Sequence, residues 1–333
     1  VKIRNLKNQK SEITQVKGLP KNPKLSNISW SPDQKRIALT NTTETGVELW
    51  VLELENGSVT KLTEPNLNSN IGSVINWFSD SENMLVKMIS RNKKPLIDTN
   101  KIVPDGPTIS TNFGEKAQNR TYQDLLKNKF DEHNFEQLST STIYKVSIDG
   151  AVKKWMDDGM YRTISFSPNG EYVMISKINK PFSYLVTYSR FPTETNIYNK
   201  DGDFISNLQK VPLIEELPKG FMSVRTGKRS FSWRPDKGAS LTYVTALDSG
   251  DPSKKVDFRD EVYELNYPFS GKGKLILKTI NRFSGIDWGT KDMAIAYDTW
   301  WNTRNRKSYV FNPSNPNIKP VSYTHLRAHE TGY

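Results

Sequence analysis

Ile28-Ser-Trp-Ser-Pro-Asp33 is the stretch that decides how this chain folds, because variants of it return along the sequence. They read Ile75-Asn-Trp-Phe-Ser-Asp80, Ile164-Ser-Phe-Ser-Pro-Asn169, Phe231-Ser-Trp-Arg-Pro-Asp236 and a degenerate Ile286-Asp-Trp-Gly289. Where Pro stands in the turn it presets φ, while Ser before it and Asp or Asn after it can hydrogen-bond the local backbone. The flanks alternate as strands do: Ile28 and Trp30 share one face, and Ile37 and Leu39 share one beyond the turn.

The aromatic positions Trp30, Trp77, Phe166, Trp233 and Trp288 lie 47, 89, 67 and 55 residues apart. That is the size of a four-stranded propeller blade, or of a blade with an insertion. The longest interval holds either two blades or one blade plus the segment between about Asn92 and Ser141. A second signature supports the unit. Glu48-Leu-Trp-Val-Leu-Glu-Leu-Glu-Asn-Gly57, Ile143-Tyr-Lys-Val-Ser-Ile-Asp-Gly150 and Ile197-Tyr-Asn-Lys-Asp-Gly202 each run a strand into an Asn-Gly or Asp-Gly hairpin turn. The expected fold is all-β, an incomplete β-propeller, with Trp30, Trp77, Trp233 and Trp288 turned inward as core.

One helix is expected inside the long interval, in a short insertion near 119–138. Tyr122, Leu125, Leu126 and Phe130 fall at helical spacing, and Thr121 with Asp124 resembles a capping box.

Composition fits one large all-β domain: 333 residues, 35% hydrophobic and 11% aromatic, without a shift that would mark a second unit. The absence of cysteine excludes a disulfide framework and a thiol nucleophile and leaves the redox compartment open. Val321-Ser-Tyr-Thr-His-Leu-Arg-Ala-His-Glu-Thr331 reads as the in-frame translation of a transposase-type sequencing adapter, so residues 321–333 are expected to be an artefactual tail and residues 1–320 the propeller. Of three histidines, that leaves His133, set in a charged stretch and read as a solvated surface group. A Ser-His-Asp apparatus or a two-histidine zinc site is therefore not expected. No Gly-x-Ser-x-Gly elbow, His-Glu-x-x-His or phosphate loop occurs. Asn199-Lys-Asp-Gly-Asp203 lacks the continuation of a calcium loop, and Gly271-Lys-Gly273 lacks a third glycine; both read as turns.

Longer, non-repeating stretches carry a resemblance. Asn119-Arg-Thr-Tyr-Gln-Asp-Leu-Leu-Lys-Asn-Lys-Phe-Asp-Glu-His-Asn-Phe-Glu-Gln-Leu138, Lys180-Pro-Phe-Ser-Tyr-Leu-Val-Thr-Tyr-Ser-Arg-Phe-Pro192, Gly220-Phe-Met-Ser-Val-Arg-Thr-Gly-Lys-Arg-Ser-Phe-Ser-Trp-Arg-Pro-Asp236 and Trp300-Trp-Asn-Thr-Arg-Asn-Arg-Lys-Ser-Tyr309 resemble the glutamyl endopeptidases, a branch of the prolyl oligopeptidase family of serine peptidases. The resemblance runs in order over residues 1–320. It implies an N-terminal propeller, here about five to six blades of a seven- or eight-bladed ring, followed in an intact protein by a C-terminal α/β-hydrolase domain with a Ser-Asp-His triad. Nothing in this chain matches that second domain, so no catalytic residue carries over, no cofactor or metal is implied, and the chain alone is expected to be inactive. The implied activity of the intact protein is cleavage of peptides after glutamate, with the propeller gating access. A periplasmic or exported location is implied only at family level.

The implied partners are a peptide substrate and the hydrolase domain. The alternative is a stand-alone TolB-like propeller acting as a protein-binding module, which shares the architecture. The net charge of +11 could suggest nucleic acid, but the cations are spread along the chain rather than gathered in a stripe with aromatics. No apolar run reaches membrane-spanning length. A basic wall would attract acidic peptides, and the candidate residues for reading a substrate carboxylate are Arg190, Arg225, Arg229 and Arg259, with Lys228 in the same cluster.

Overall fold

The computed structural model describes residues 2–4, 13–98, 101, 122–316 and 321–326. Two-residue strands β1 (Lys2–Ile3) and β2 (Thr14–Gln15) pair as a small ribbon beside the first blade. Five antiparallel blades follow. The first consists of β3 (Leu25–Trp30), β4 (Arg36–Thr42), β5 (Val47–Glu53) and β6 (Val59–Lys61). The second contains β7 (Ile75–Trp77), β8 (Asn83–Ile89), β9 (Ser141–Ser147) and the start of β10 (Val152–Phe166). The end of β10 opens the third, completed by β11 (Tyr172–Ile178), β12 (Thr193–Asn199) and β13 (Phe204–Val211). The fourth is β14 (Arg229–Trp233), β15 (Ser240–Ala246), β16 (Asp260–Asn266) and β17 (Lys274–Thr279). The fifth is β18 (Arg282–Thr290), β19 (Met293–Trp300), β20 (Asn305–Phe311) and β21 (Val321–Leu326). The long interval thus holds one blade and an insertion.

Each recurring turn is closed as its residues dictate. The Ser31 hydroxyl donates to Asp33 Oδ1 at 2.6 Å and accepts from the Arg36 amide at 3.0 Å, while Asp33 Oδ1 accepts from the Lys35 amide. The Ser31 hydrogen bond holds the Asp33 carboxyl below the usual range. Ser167 and Asn169 repeat this pattern, with Gly170 at φ 74° where the first blade puts Gln34 at φ 61°.

The core consists of layers between blades. Ala38, Leu49 and Val51 of the first blade pack on Trp77, Met84 and Val86 of the second. Leu85 and Ile143 of the second meet Ile164, Val173 and Ile175 of the third. Met174 and Ile197 meet Trp233, Leu241 and Tyr263, and Val244 and Val262 meet Ala294, Ala296 and Phe311. Central strands such as β4, β5 and β8 are therefore buried on both faces, not alternately as the half-buried reading expected.

The inward aromatic expectation needs one correction. Trp77 and Trp233 are 8% exposed and Trp288 is half-buried, but Trp30 is 56% exposed, because no described blade lies against its face. Among the described residues, no hydrophobic cluster joins the first blade to the fifth.

The helix is also displaced. Helix α1 spans Lys129–Ser139, starting where the Asn128 side chain accepts from the Phe130 and Asp131 amides and where Asp131 and Glu132 fill the first turn. Residues 122–128 are irregular, with Asp124 at φ 56°, and Thr121 lies outside the described residues. His133 sits half-buried on α1 with its Nε2 3.0 Å from the Pro95 carbonyl. In β21, the backbone of 321–326 pairs with β20, a position that asks only for main-chain donors and acceptors; residues 327–333 lie outside the description.

Candidate functional site

Strand order gives the two faces of the propeller different characters. Each inner strand begins, and each outer strand ends, on the face that also carries the loops between the second and third strands. The opposite face carries the short Ser-Pro-Asp and Asp-Gly turns. Long segments gather on the first face: the described parts of the insertion, residues 90–98 and 122–140, residues 179–192 and 247–259, and the connection 212–228. Side chains lock them to the blades. Phe135 of α1 meets Phe182 and Phe191 edge-on at 5.1 and 5.7 Å, in a cluster with Met160, Ile178 and Val186, and Glu136 pairs with Lys180 at 2.8 Å.

Arg229, Arg259 and Arg282 converge here on two buried aspartates. Arg229 reaches Asp260 at 2.5 Å and Arg282 reaches it at 3.1 Å; Arg282 and Arg259 each reach Asp248 at 2.7 Å. Arg282 Nε also donates to the Met222 carbonyl, pinning the 212–228 connection, and Arg259 lies 3.9 Å over the Trp300 ring. The guanidinium forks of Arg229 and Arg259 are thus already matched to carboxylates of the chain itself.

Arg225 is placed differently. Its Nη2 donates to Gln209 Oε1 at 2.6 Å and to the Lys228 carbonyl, and its Nη1 donates to the Thr226 carbonyl at 3.0 Å, all neutral acceptors. Burial, followed by the positive charge of Arg229, lowers its pKa to about 10, still charged at neutral pH. Lys228 turns away to the Gly271 carbonyl and the Tyr243 ring. Arg190 stands 5.4 Å over the Tyr122 ring on the neighbouring loop.

Arg225 borders a cavity of about 340 Å³ between the third and fourth blades. Arg162, Ser176, Ser189, Thr195 and Gln209 line it too, and no carboxylate does. An adjoining cavity of about 740 Å³ shares Gln209, Val211, Ile214 and Arg225 and has Glu215 and Glu216 in its lining. The first cavity offers two guanidiniums and several hydroxyls to an anionic group. Sequence reasoning passed over Arg162 and Arg282. Aligning the repeats would have found Arg162, because it precedes Ile164 by two residues as Arg229 precedes Phe231. Among the described residues, no cluster of His, Cys, Asp and Glu could hold a metal ion, and no helix is long and apolar enough to cross a membrane.

Fold and face together define the class: an incomplete β-propeller with its elaboration confined to one face. No family model matches the sequence. The chain is 34% identical over 318 residues to the probable chloroplastic glutamyl endopeptidase of Oryza sativa subsp. japonica, and 31% identical over 322 residues to that of Arabidopsis thaliana. Each alignment covers 92% of this chain but only 34% and 33% of those relatives, so the chain spans about a third of their length. Among solved structures, acylaminoacyl peptidase of Pyrococcus horikoshii aligns with 97% of the chain and 41% of its own at 17% identity and TM-score 0.47. TolB of Acinetobacter baumannii aligns with 97% of the chain and 59% of its own at 10% identity and TM-score 0.38. Over 92% of its length the chain is thus similar to about a third of proteins named glutamyl endopeptidases, and its own fold is that of a propeller.

Proposed function

We infer that this chain is the non-catalytic, substrate-gating propeller of a serine peptidase that cleaves peptides after glutamate, the chemistry residing in an α/β-hydrolase domain outside it. The observation that carries this reading is homology along nearly the whole chain to proteins named glutamyl endopeptidases. Topology supports it. The inner strand of a first blade starts, and the outer strand of a last blade ends, on the elaborated face, so a domain joined to either end leaves from there. A catalytic domain seated on that face encloses peptide between itself and the loops around Arg225, and only segments slender enough to enter reach the nucleophile. Loss of folded proteins as substrates is the natural result.

Within this reading, Arg225, with Arg162 beside it, is the group that attracts an acidic side chain. Its side chain donates to neutral acceptors, and it borders a cavity whose lining carries no carboxylate. Arg229 and Arg259 support it by building the charged wall behind, and Arg190 shapes the adjacent loop. In the full-length enzyme, Arg225→Ala should lower kcat/KM for glutamyl peptides about tenfold or more while leaving neutral peptides little changed, the loss of one charge-assisted hydrogen bond. Equal loss on both substrates would count against the assignment. We further propose that residues 321–333 derive from adapter sequence. Sequencing the locus past Pro320 tests this together with the peptidase reading: a downstream Gly-x-Ser-x-Gly followed by Asp and His supports it, and an early stop codon favours a free-standing binding module.

A further inference from the structure

Strand β10 passes from the second blade to the third through irregular pairing, and the side chains released there form a cavity of their own. Its partners on β9 run Lys154↔Tyr144, Met156↔Ile143 and Gly159↔Ser141, so Trp155, Asp157 and Asp158 have no residue opposite them in that ladder. Bulges of this kind bend a strand and re-aim its side chains. Trp155, Asp157 and Asp158 all line one cavity of about 360 Å³, together with Tyr161 beyond the bulge and Asn196 and Tyr198 of β12. Its walls are tied in place. Trp155 Nε1 donates to the Lys200 carbonyl at 3.2 Å, the Tyr161 hydroxyl donates to the Asp157 carbonyl at 2.5 Å, and Asn196 Nδ2 donates to the Tyr198 hydroxyl at 3.3 Å. The Trp155 and Tyr198 rings stand 6.3 Å apart with their planes at 67°, two walls of a corner rather than a flat stack.

The charges in this cavity are unequally committed. Asp157 is matched to Lys154 at 2.6 Å, and Lys177, a cation in the lining, reaches Glu194 at 3.7 Å. Asp158 is held by neutral donors instead: Ser90 Oγ at 2.6 Å and Asn92 Nδ2 at 3.0 Å on one oxygen, and the Thr142 hydroxyl on the other. An ionised carboxylate offers about four acceptor sites, and these donors take most of them. Asp158 therefore contributes a negative charge with little hydrogen-bonding capacity left. A guanidinium or a primary ammonium, whose N–H groups all want acceptors, is poorly served by such a site. A cation without N–H groups loses nothing there, and aromatic rings attract it as the carboxylate does.

We propose that this cavity binds a small quaternary ammonium compound, its alkylated head against Trp155, Tyr161 and Tyr198 and its charge opposite Asp158. The volume stands at the lower end of the range for small-molecule sites, about 300–1,000 Å³. None of these residues borders the Arg225 cavities, so the assignment does not depend on the peptidase reading.

The test is calorimetric titration of the full-length protein with choline, set beside neohexanol, in which carbon replaces the charged nitrogen. The expected result is saturable binding of choline about tenfold or more tighter than binding of the neutral alcohol. Asp158→Asn keeps the shape of the side chain and should weaken choline about tenfold while leaving neohexanol unchanged. Trp155→Leu keeps apolar bulk without the ring and should weaken choline by a similar factor. Absence of saturable choline binding, or equal affinity for the two compounds, would overturn the proposal. So would an Asp158→Asn protein of unchanged thermal midpoint that binds choline as the parent does. Tighter binding of a trimethyl-lysine peptide than of choline would overturn the assignment to a small compound.

Discussion

At the residue scale, the chain keeps several charges out of water, and their partners decide what each is worth. Asp260 accepts from Arg229, Arg282 and the Phe283 amide, while Arg229 is one of two cations on that carboxylate. Removing the carboxylate strands the buried Arg229 guanidinium and takes from Arg282 one of its two carboxylates; removing Arg229 leaves Asp260 still paired with Arg282. Asp260→Asn should therefore cost about 3–5 kcal/mol in urea unfolding and Arg229→Ala distinctly less, the order being the informative part. Lys87 is the opposite case. It is 2% exposed, donates to the Ile71 carbonyl, and burial pushes its pKa down to about 8. The unfolded chain thus binds more protons than the folded one between about pH 8 and 10.5, so stability rises with pH across that window. The full span corresponds to about 3 kcal/mol. Lys87→Met should remove most of this slope and raise stability at pH 7; a slope unchanged in the variant would exclude Lys87 as its source.

At the scale of elements, strands were legible where helices were not. The Ser-Pro-Asp turns and the Asn-Gly and Asp-Gly hairpins name their own geometry through local hydrogen bonds, and they fell where expected. Helix α1 did not. Apolar spacing around Tyr122 to Phe130 suggested an early start, whereas Asn128 and the acidic pair after it set the boundary, a capping effect stronger than periodicity over so short a run. Asn128→Ala should weaken the helix by about 1 kcal/mol. Amide exchange should quicken in 129–139 while the strands β8 and β9, which bracket the insertion, keep their protection. Of the site, the arginine cluster was visible in the sequence. Which arginine stays without a carboxylate was not, since Asp248 and Asp260 reach them only through the fold.

For the whole molecule, the recurring aromatic announced the propeller, but its burial could not be read from the repeat. Trp30 and Trp77 occupy equivalent positions of the repeat, and the presence or absence of a neighbouring blade separates them. The two-sided burial of β4, β5 and β8 escaped for the same reason, being a property of stacking rather than of any one strand. One joint in that stack is unlike the rest. β10 runs from Val152 to Phe166 as the last strand of the second blade and the first of the third, with register shifts on both sides of Gly159 in place of a connecting loop. Other neighbours are joined by connections outside their ladders, residues 62–74, residues 212–228 and the pair Ile280 and Asn281. These two share a spar: prising them apart means breaking ladder bonds in both at once, so a ring assembled from such pieces would part at one of its looped seams and leave this pair intact.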